Sequence, residues 1–301
     1  MTSEPMPVPV TVVVPVYNNR DTVVDAIASA LRQVPPPAEV LVVDDGSTDG
    51  SADAVRDAFQ EVPSVRVMVQ ENAGPSRARN RGIAEASSPY LAFLDADDEW
   101  LPDKLALQGH VLDSEPTVGL VACDWVRERP REDVARASAP GTPWSRLTYR
   151  DCLVLNRFQT STVLMRTALA RTLGGFDAAV DGAEDWDLWV RAAQAAGVVK
   201  LNRPLVVYRD VPTGYSKDVW RVYQTMHGLL DKHRATAPVG FGTIEAWHHL
   251  RFFVALRLMG DRAHARAALG AALSPRLLWR VPAATLAYLL PFLVRRRVRR
   301  A

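Results

Sequence analysis

Four acids crowd the end of one apolar run: Leu91-Ala92-Phe93-Leu94 leads straight into Asp95-Ala96-Asp97-Asp98-Glu99. Carboxylates this close repel one another unless something positive sits among them. A hard divalent cation carrying phosphate oxygens suits such a cluster, because Mg²⁺ and similar ions take one or two carboxylates plus substrate phosphates. The alternative is a helix start, where Asp favours the cap and the first turn. A second cluster, Asp44-Asp45-Gly46-Ser47-Thr48-Asp49, follows Val40-Leu41-Val42-Val43. It is not an EF-hand loop, since the twelfth position from Asp45 is Arg56 where Glu is required. Its carboxylates could hydrogen-bond a base or a ribose. Between the clusters, Arg77, Arg79 and Arg81 stand in the polar run Gln70–Gly82. They cannot all face one way on a helix, but one or two could neutralise a diphosphate through charge-assisted bonds. No phosphate-cradling glycine loop accompanies them, so phosphates here fall to metal and Arg. A third acidic group, Glu184-Asp185-Trp186-Asp187, opens a helical pattern.

The elements that must position these residues alternate. The β-branched run Val10–Val16 reads as a central strand closed by Pro15, because Pro cannot donate to a ladder. Val24, Ile27, Ala28 and Leu31 have helical spacing, and Pro35-Pro36-Pro37 ends that helix. Strands at 40–43, 65–69 and 90–94 alternate with helices from Ser51 and through Ala86. Near-continuous apolar strands are buried on both faces, and such alternation gives a mostly parallel sheet. Parallel strand ends open on one edge, where α/β sheets bind their ligands. Asn18, Asp44, Asp45, Asp95 and Asp97 are therefore expected in one cleft. Further on, a helix is expected from Pro102 to Ser114, strands at Val118–Cys123, Thr160–Arg166 and Leu201–Arg209, and a loop or lid at 127–143. Asp98 and Glu99 read as helix-start residues. Trp186, Trp189, Val190 and Ala193 share a helix face, with Asp185 off it.

With 301 residues the chain has room for a real core. Residues 1–9 are Pro-rich and polar, and read as a flexible N-terminus without a signal segment. Cys123 and Cys152 make neither a disulfide framework nor a zinc site, and suit two buried thiols in a reducing compartment. Residues 276–301 carry seven Arg and no acid, which leaves 29 basic against 34 acidic residues elsewhere. A mildly acidic body argues against nucleic acid as a partner, and the tail calls for its own anionic partner. The apolar run 281–294 is too short to span a bilayer and better suits a helix lying in a membrane interface, or a docking helix for protein. The division expected is a flexible 1–9, a catalytic domain over 10–215, a helical region over 216–274 with breaks near Pro238 and Gly260, and an apolar, basic tail over 275–301.

Taken in order, Pro15-Val16-Tyr17-Asn18, Val43–Asp49, Asn72–Gly82, Asp95-Ala96-Asp97-Asp98, Gly174-Gly175-Phe176-Asp177 and Glu184–Trp189 resemble a family 2 glycosyltransferase. The resemblance covers residues 9–210 and implies the GT-A fold, a Rossmann-like α/β sheet flanked by helices, with inverting chemistry. It implies that Pro15, Tyr17, Asn18, Asp44 or Asp45, Arg79, Asp95 and Ala96 hold the nucleotide sugar. Asp97 would be the metal ligand, with Asp95 a second, and Glu184 and Trp186 would lie on the sugar and acceptor side. Asp185 would be the general base, and a helix N-terminus holds a carboxylate there ionised. Members often carry a His after the final Tyr-Arg; here Tyr208-Arg209-Asp210 lacks it, and Asp210 is the nearest substitute. The six His lie outside these motifs.

The function expected is transfer from a nucleotide-diphosphate sugar, with Mg²⁺ or Mn²⁺, to a hydroxyl of a glycan or lipid-linked acceptor. It would serve cell-surface polysaccharide synthesis, in the cytoplasm at the inner face of the membrane. A silent subunit of glycan assembly and a glycoside hydrolase are the rival classes; a hydrolase also pairs carboxylates but needs no nucleotide.

Overall fold

The computed structural model describes residues 8–127, 144–180, 182–209 and 218–291. The lid expected at 127–143 and Asp210 fall, the first almost wholly, outside the described residues. Two compact units form: Met1–Cys152 with Asn156–Val211, and Leu153–Leu155 with Pro212–Ala301.

Among the described residues the first unit is a sheet of nine strands between two layers of helices. Its leading half comprises β1 (Val8–Val16), α1 (Arg20–Leu31), β2 (Pro37–Asp44), α2 (Ser51–Ala58), β3 (Val65–Val69), α3 (Pro75–Glu85) and β4 (Tyr90–Phe93). These strands are parallel and lie in the order β3-β2-β1-β4. The chain winds outward to β3, then crosses back to set β4 on the other side of β1. A crevice opens at such a reversal, at the carboxyl ends of the strands. Val16 pairs with Asp44 and Val13 with Phe93, so both acidic clusters leave the sheet at that edge.

Side chains alternate between the two faces with the strand period. Val10, Val12 and Val14 pack with Ile27 of α1 and Val55 of α2, whereas Val13, Leu91 and Phe93 pack with Ile83 of α3. Gly82 allows the closest approach: a Cβ there would lie 2.3 Å from Val13 Cγ1.

The second half of the sheet is mixed. It holds β5 (Glu99–Trp100), α4 (Lys104–Ser114), β6 (Val118–Arg127), β7 (Trp144–Leu147), α5 (Tyr149–Val154), β8 (Leu164–Arg166), α6 (Thr167–Thr172), α7 (Glu184–Ala195) and β9 (Gly197–Tyr208). β8 runs antiparallel to β4 and β6, and β6 parallel to β9. Two local expectations change. Asp98 and Glu99 do not start a helix: Glu99 and Trp100 pair with Val207 and Val206, and α4 begins after Asp103. Thr160–Thr162 is a 3₁₀ turn rather than strand, because the Thr162 hydroxyl donates back to the Gln159 carbonyl at 2.6 Å. Thr and Ser often make such local bonds in place of a ladder. Cys123 and Cys152 are free and buried, and burial pushes both thiols up to about 12.

The second unit is helical: α8 (Val219–His233), α9 (Phe241–Leu258) and α10 (Arg262–Ala272), then a further helical stretch from Leu278. Asp218 and Asp261 cap α8 and α10 by accepting the N–H groups of Arg221 and His264 at 2.9 and 3.1 Å. The breaks between helices fall at Pro238–Gly240 and Gly260–Asp261.

Candidate active site

The loops after β1 and β2 are stitched together. Asn18 sits at φ +54°, a left-handed conformation that Asn tolerates better than most residues. Its N–H donates to Ser47 Oγ at 3.0 Å, and its Oδ1 accepts the Thr48 N–H at 2.9 Å. Pro15 pairs with Val43 one step from the end of β1, and Tyr17 beyond it is half exposed at 51%.

The two aspartates ending β2 are both buried but differ. Asp44 Oδ1 accepts the N–H groups of Gly46 and Ser47 at 3.2 and 2.9 Å, while its Oδ2 is buried without a partner. An unpaired buried carboxylate oxygen is costly, and an N–H donor from a ligand would satisfy it. Asp45 is fully engaged: Gln70 Nε2, Ala73 N–H and Gly74 N–H donate to it at 2.7, 3.0 and 2.8 Å. It secures the 70–74 loop that launches α3.

Arg79 is buried and joins two elements. One arm donates to Asp95 Oδ1 at 2.7 Å and the other to Glu184 Oε1 at 3.1 Å. Burial depresses the guanidinium, but the charges of Asp95 and Glu184 outweigh it and its pKa is raised. Arg81 donates to the Val69 carbonyl and Arg77 is exposed. Of the three arginines, Arg79 alone reaches the acids.

Beyond β4, Asp95 N–H donates to Ser161 Oγ at 3.0 Å, and that hydroxyl donates to Asp98 Oδ2 at 2.6 Å. Asp98 Oδ1 also accepts the Arg209 N–H at 3.2 Å. Burial, and then the charge of Asp95, push Asp98 well above the usual carboxylate range. Ala96 is buried beneath the turn. Asp97 is half-buried; its carboxylate accepts a backbone N–H and, among the described residues, has no side-chain hydrogen-bond or ion-pair partner. Burial and the Asp95 charge raise it to about 6. No group of three or more His, Cys, Asp or Glu forms a ready metal cage among the described residues. Asp97 nonetheless fits a cation. Its charge is penalised by its surroundings, and Mg²⁺ or Mn²⁺ needs only one or two carboxylates beside phosphate oxygens.

The helix α7 supplies the third group. Asp185 is half-buried; its Oδ2 accepts from Asn156 Nδ2 at 3.2 Å and its Oδ1 from the Trp186 N–H at 2.5 Å. Burial, and then the neighbouring Glu184, raise it to about 7. Glu184 is spent on Arg79 and on the Gly182 N–H at 2.8 Å. Trp186 is packed inside, its indole N–H donating to the Cys152 carbonyl at 2.5 Å. Trp189 lies among Phe93, Phe158 and Phe176. The turn before α7 is pinned by Asn80, which exchanges two hydrogen bonds with the Phe176 backbone at 2.7 and 2.8 Å. Gly175, at φ +70°, is required there, since a Cβ would lie 2.2 Å from Asn80 Oδ1.

Sequence reasoning missed Ser161, Asn156 and Arg209. Ser161 hid inside a run that looked like strand, and Asn156 stands in no pattern at all.

The sequence profile of glycosyl transferase family 2 matches residues 11–171, more than half of the chain. The chain belongs to glycosyl transferase family 2. The family span covers β1 to α6, with Asp44, Asp45, Arg79 and Asp95–Asp98, and ends before Asp185. A putative teichuronic acid biosynthesis glycosyltransferase, TuaG of Bacillus subtilis, is 41% identical over 100 residues, 33% of this chain and 40% of TuaG. The succinoglycan biosynthesis protein ExoU of Rhizobium meliloti is 44% identical over 100 residues, 33% of this chain and 29% of its own. An uncharacterized glycosyltransferase of Escherichia coli, YibD, is 37% identical over 115 residues, 38% of this chain and 33% of its own. The chain thus spans well under half the length of these relatives. Among solved structures, S. aureus TarS 1-349 with UDP-GlcNAc superposes with TM-score 0.69 at 20% identity, covering 91% of this chain and 83% of TarS 1-349. The mannosyltransferase PcManGT of Pyrobaculum calidifontis, with GDP-Man and Mn²⁺, superposes with TM-score 0.64 at 26% identity, covering 93% and 82%. The fold is that of GT-A glycosyltransferases.

Proposed function

We propose that this chain is an inverting transferase that moves a sugar from a nucleotide-diphosphate sugar to an acceptor hydroxyl in cell-surface polysaccharide synthesis. One observation carries the reading. The buried Arg79 guanidinium binds Asp95 at 2.7 Å and Glu184 at 3.1 Å, and so ties the Asp95–Asp97 turn to the first turn of α7. Asp97, two residues on, is engaged by no described side chain and suits a cation; Asp185, adjacent to Glu184, is the acid suited to take a proton. A hydrolase reading leaves the unpaired Asp44 oxygen and the loops around it without a purpose.

Asp44 Oδ2 receives an N–H of the nucleobase, beside the stitched loops of Asn18 and Ser47. Asp97 would hold Mg²⁺ or Mn²⁺, which when bound would supply positive charge against the departing diphosphate. Asp185 takes the proton of the acceptor hydroxyl as its oxygen bonds to the anomeric carbon from the face opposite the diphosphate. The bond from that carbon to the phosphate oxygen breaks, and the electron pair leaves with the nucleoside diphosphate. A carboxylate raised to about 7 is half ionised near neutrality and basic enough to accept that proton. Donor sugars of the kinds held by TarS and PcManGT are the first to try. The acceptor is taken to be a lipid-linked glycan at the inner face of the membrane, from the apolar and basic character of residues 276–301.

The test is a panel of nucleotide sugars scored for nucleoside diphosphate release with Mn²⁺, with Asp97→Asn as the blank. One or two donors should be turned over by the wild type and none by the variant. Equal release by both proteins would overturn the reading.

A further inference from the structure

The last described stretch of the helical unit is as apolar on its outer side as on its inner side. From Leu278 the chain makes a 3₁₀ turn (Leu278–Arg280), an α turn (Val281–Ala284) and a π turn (Thr285–Leu289), and stays helical to Pro291. The inner side is fixed: Leu277 and Ala284 are buried, and the Tyr288 ring lies 5.9 Å from Trp247 of α9. Every exposed position from 278 to 291 is apolar. These positions recur in pairs four residues apart, from Leu278-Trp279 through Leu286-Ala287 to Leu290-Pro291. Trp279 and Leu286 are 64% and 69% exposed. A four-residue repeat drifts by about 40° per step around a regular α-helix, and the wider π turn offsets that drift. A helix facing water normally shows polar residues on its outer face.

Charge identifies what covers this face. After Asp261 the sequence has no further acid and nine Arg, five of them between 295 and 300. A second copy would bring the same positive charge to the contact and be repelled. Anionic headgroups over an apolar layer match both features at once. Arg280 stands with its guanidinium carbon 3.5 Å from the Trp279 ring centroid, which sets a cation beside an interfacial aromatic. No helix among the described residues is long and apolar enough to cross a membrane, so this stretch would lie along a surface.

We infer that the Leu278–Pro291 face docks on an anionic lipid bilayer, with Trp279, Leu286 and Leu290 entering the headgroup–acyl boundary and Arg280 beside the headgroups. The face deepens the reading of a membrane-borne acceptor, yet its test involves no sugar transfer, so either can fail alone. The full chain is sedimented with vesicles of phosphatidylglycerol and phosphatidylcholine in equal parts, and with phosphatidylcholine alone. It should bind the anionic vesicles and not the neutral ones. Trp279→Glu and Leu286→Glu should each weaken binding by about tenfold. Met259→Glu, at an exposed apolar residue outside this face, should leave binding unchanged, with circular dichroism checking that all variants fold. Failure to bind anionic vesicles would overturn the proposal. So would equal losses for Met259→Glu and Leu286→Glu, or a self-associated species abolished by Leu286→Glu while vesicle binding persists.

Discussion

At the end of β2, Asp44 and Asp45 together accept five hydrogen bonds from the chain, and a single oxygen, Asp44 Oδ2, is left over. At the end of β4, on the other side of β1, Asp95 is paired with Arg79 and Asp98 with Ser161, while Asp97 has no such side-chain partner among the described residues. The first pair is largely consumed in shaping loops. The second cluster is braced so that one carboxylate stays available at a raised pKa. Identical side chains at equivalent strand ends therefore differ in what surrounds them: N–H groups of the loops bond one pair, while burial and like charge bear on the other. An acid that the fold has not satisfied is the one to examine for chemistry.

That contrast is tested most severely at α7, where Asp185 is also raised and only lightly held. Asp185→Asn keeps the shape and removes the proposed base. Transfer should fall by about a thousandfold. Nucleoside diphosphate binding, read by calorimetry, should stay as in the wild type. Near wild-type turnover would sink the assignment.

Asp45→Ala attacks the consumed side of the comparison. It strands the Gln70 amide and the N–H groups of Ala73 and Gly74, so it should cost about 3 kcal/mol of stability, read by urea unfolding. Asp44→Asn should do the reverse. Its Oδ1 bonds survive, so stability should hardly move, but the free acceptor becomes a donor. Nucleoside diphosphate binding should weaken by about tenfold. If Asp45→Ala proves the milder change for stability, the division between shaping and binding acids is wrong.

The parallel half of the sheet was legible because burial on both faces writes near-continuous apolar runs at 10–16, 40–43 and 90–94. The acids at their ends were legible for the same reason: a carboxylate abutting such a run has to leave the core at once. What could not be read was direction. Arg79 looked like a diphosphate partner, yet α3 turns it inward to Asp95 and Glu184, and nothing in an alternating Arg run says which one faces inward. Ser161 was invisible because Thr160–Arg166 is β-branched enough to pass for strand, while the Thr162 hydroxyl bonds locally and the segment makes a turn. Trp186 was expected near the sugar, and its indole is instead enclosed and bonded to the Cys152 carbonyl. Asn156 belongs to no motif, and its partnership with Asp185 exists only after folding.

Asn156 gives the smallest effect and the sharpest one. With Asp185 as the proposed base, the protonated form is inactive. The rate should therefore rise with pH, about tenfold per unit, and level off above about 7, where the carboxylate is ionised. Asn156 donates to the ionised carboxylate and so favours it. Asn156→Ala removes that preference, and the midpoint of the rise should move up by a few tenths of a unit. Asn156→Asp adds a like charge beside Asp185 and should move it further in the same direction. A residue with a merely structural role would lower the plateau and leave the midpoint in place. A midpoint unchanged in both variants would mean that the group titrating in the rate is not Asp185.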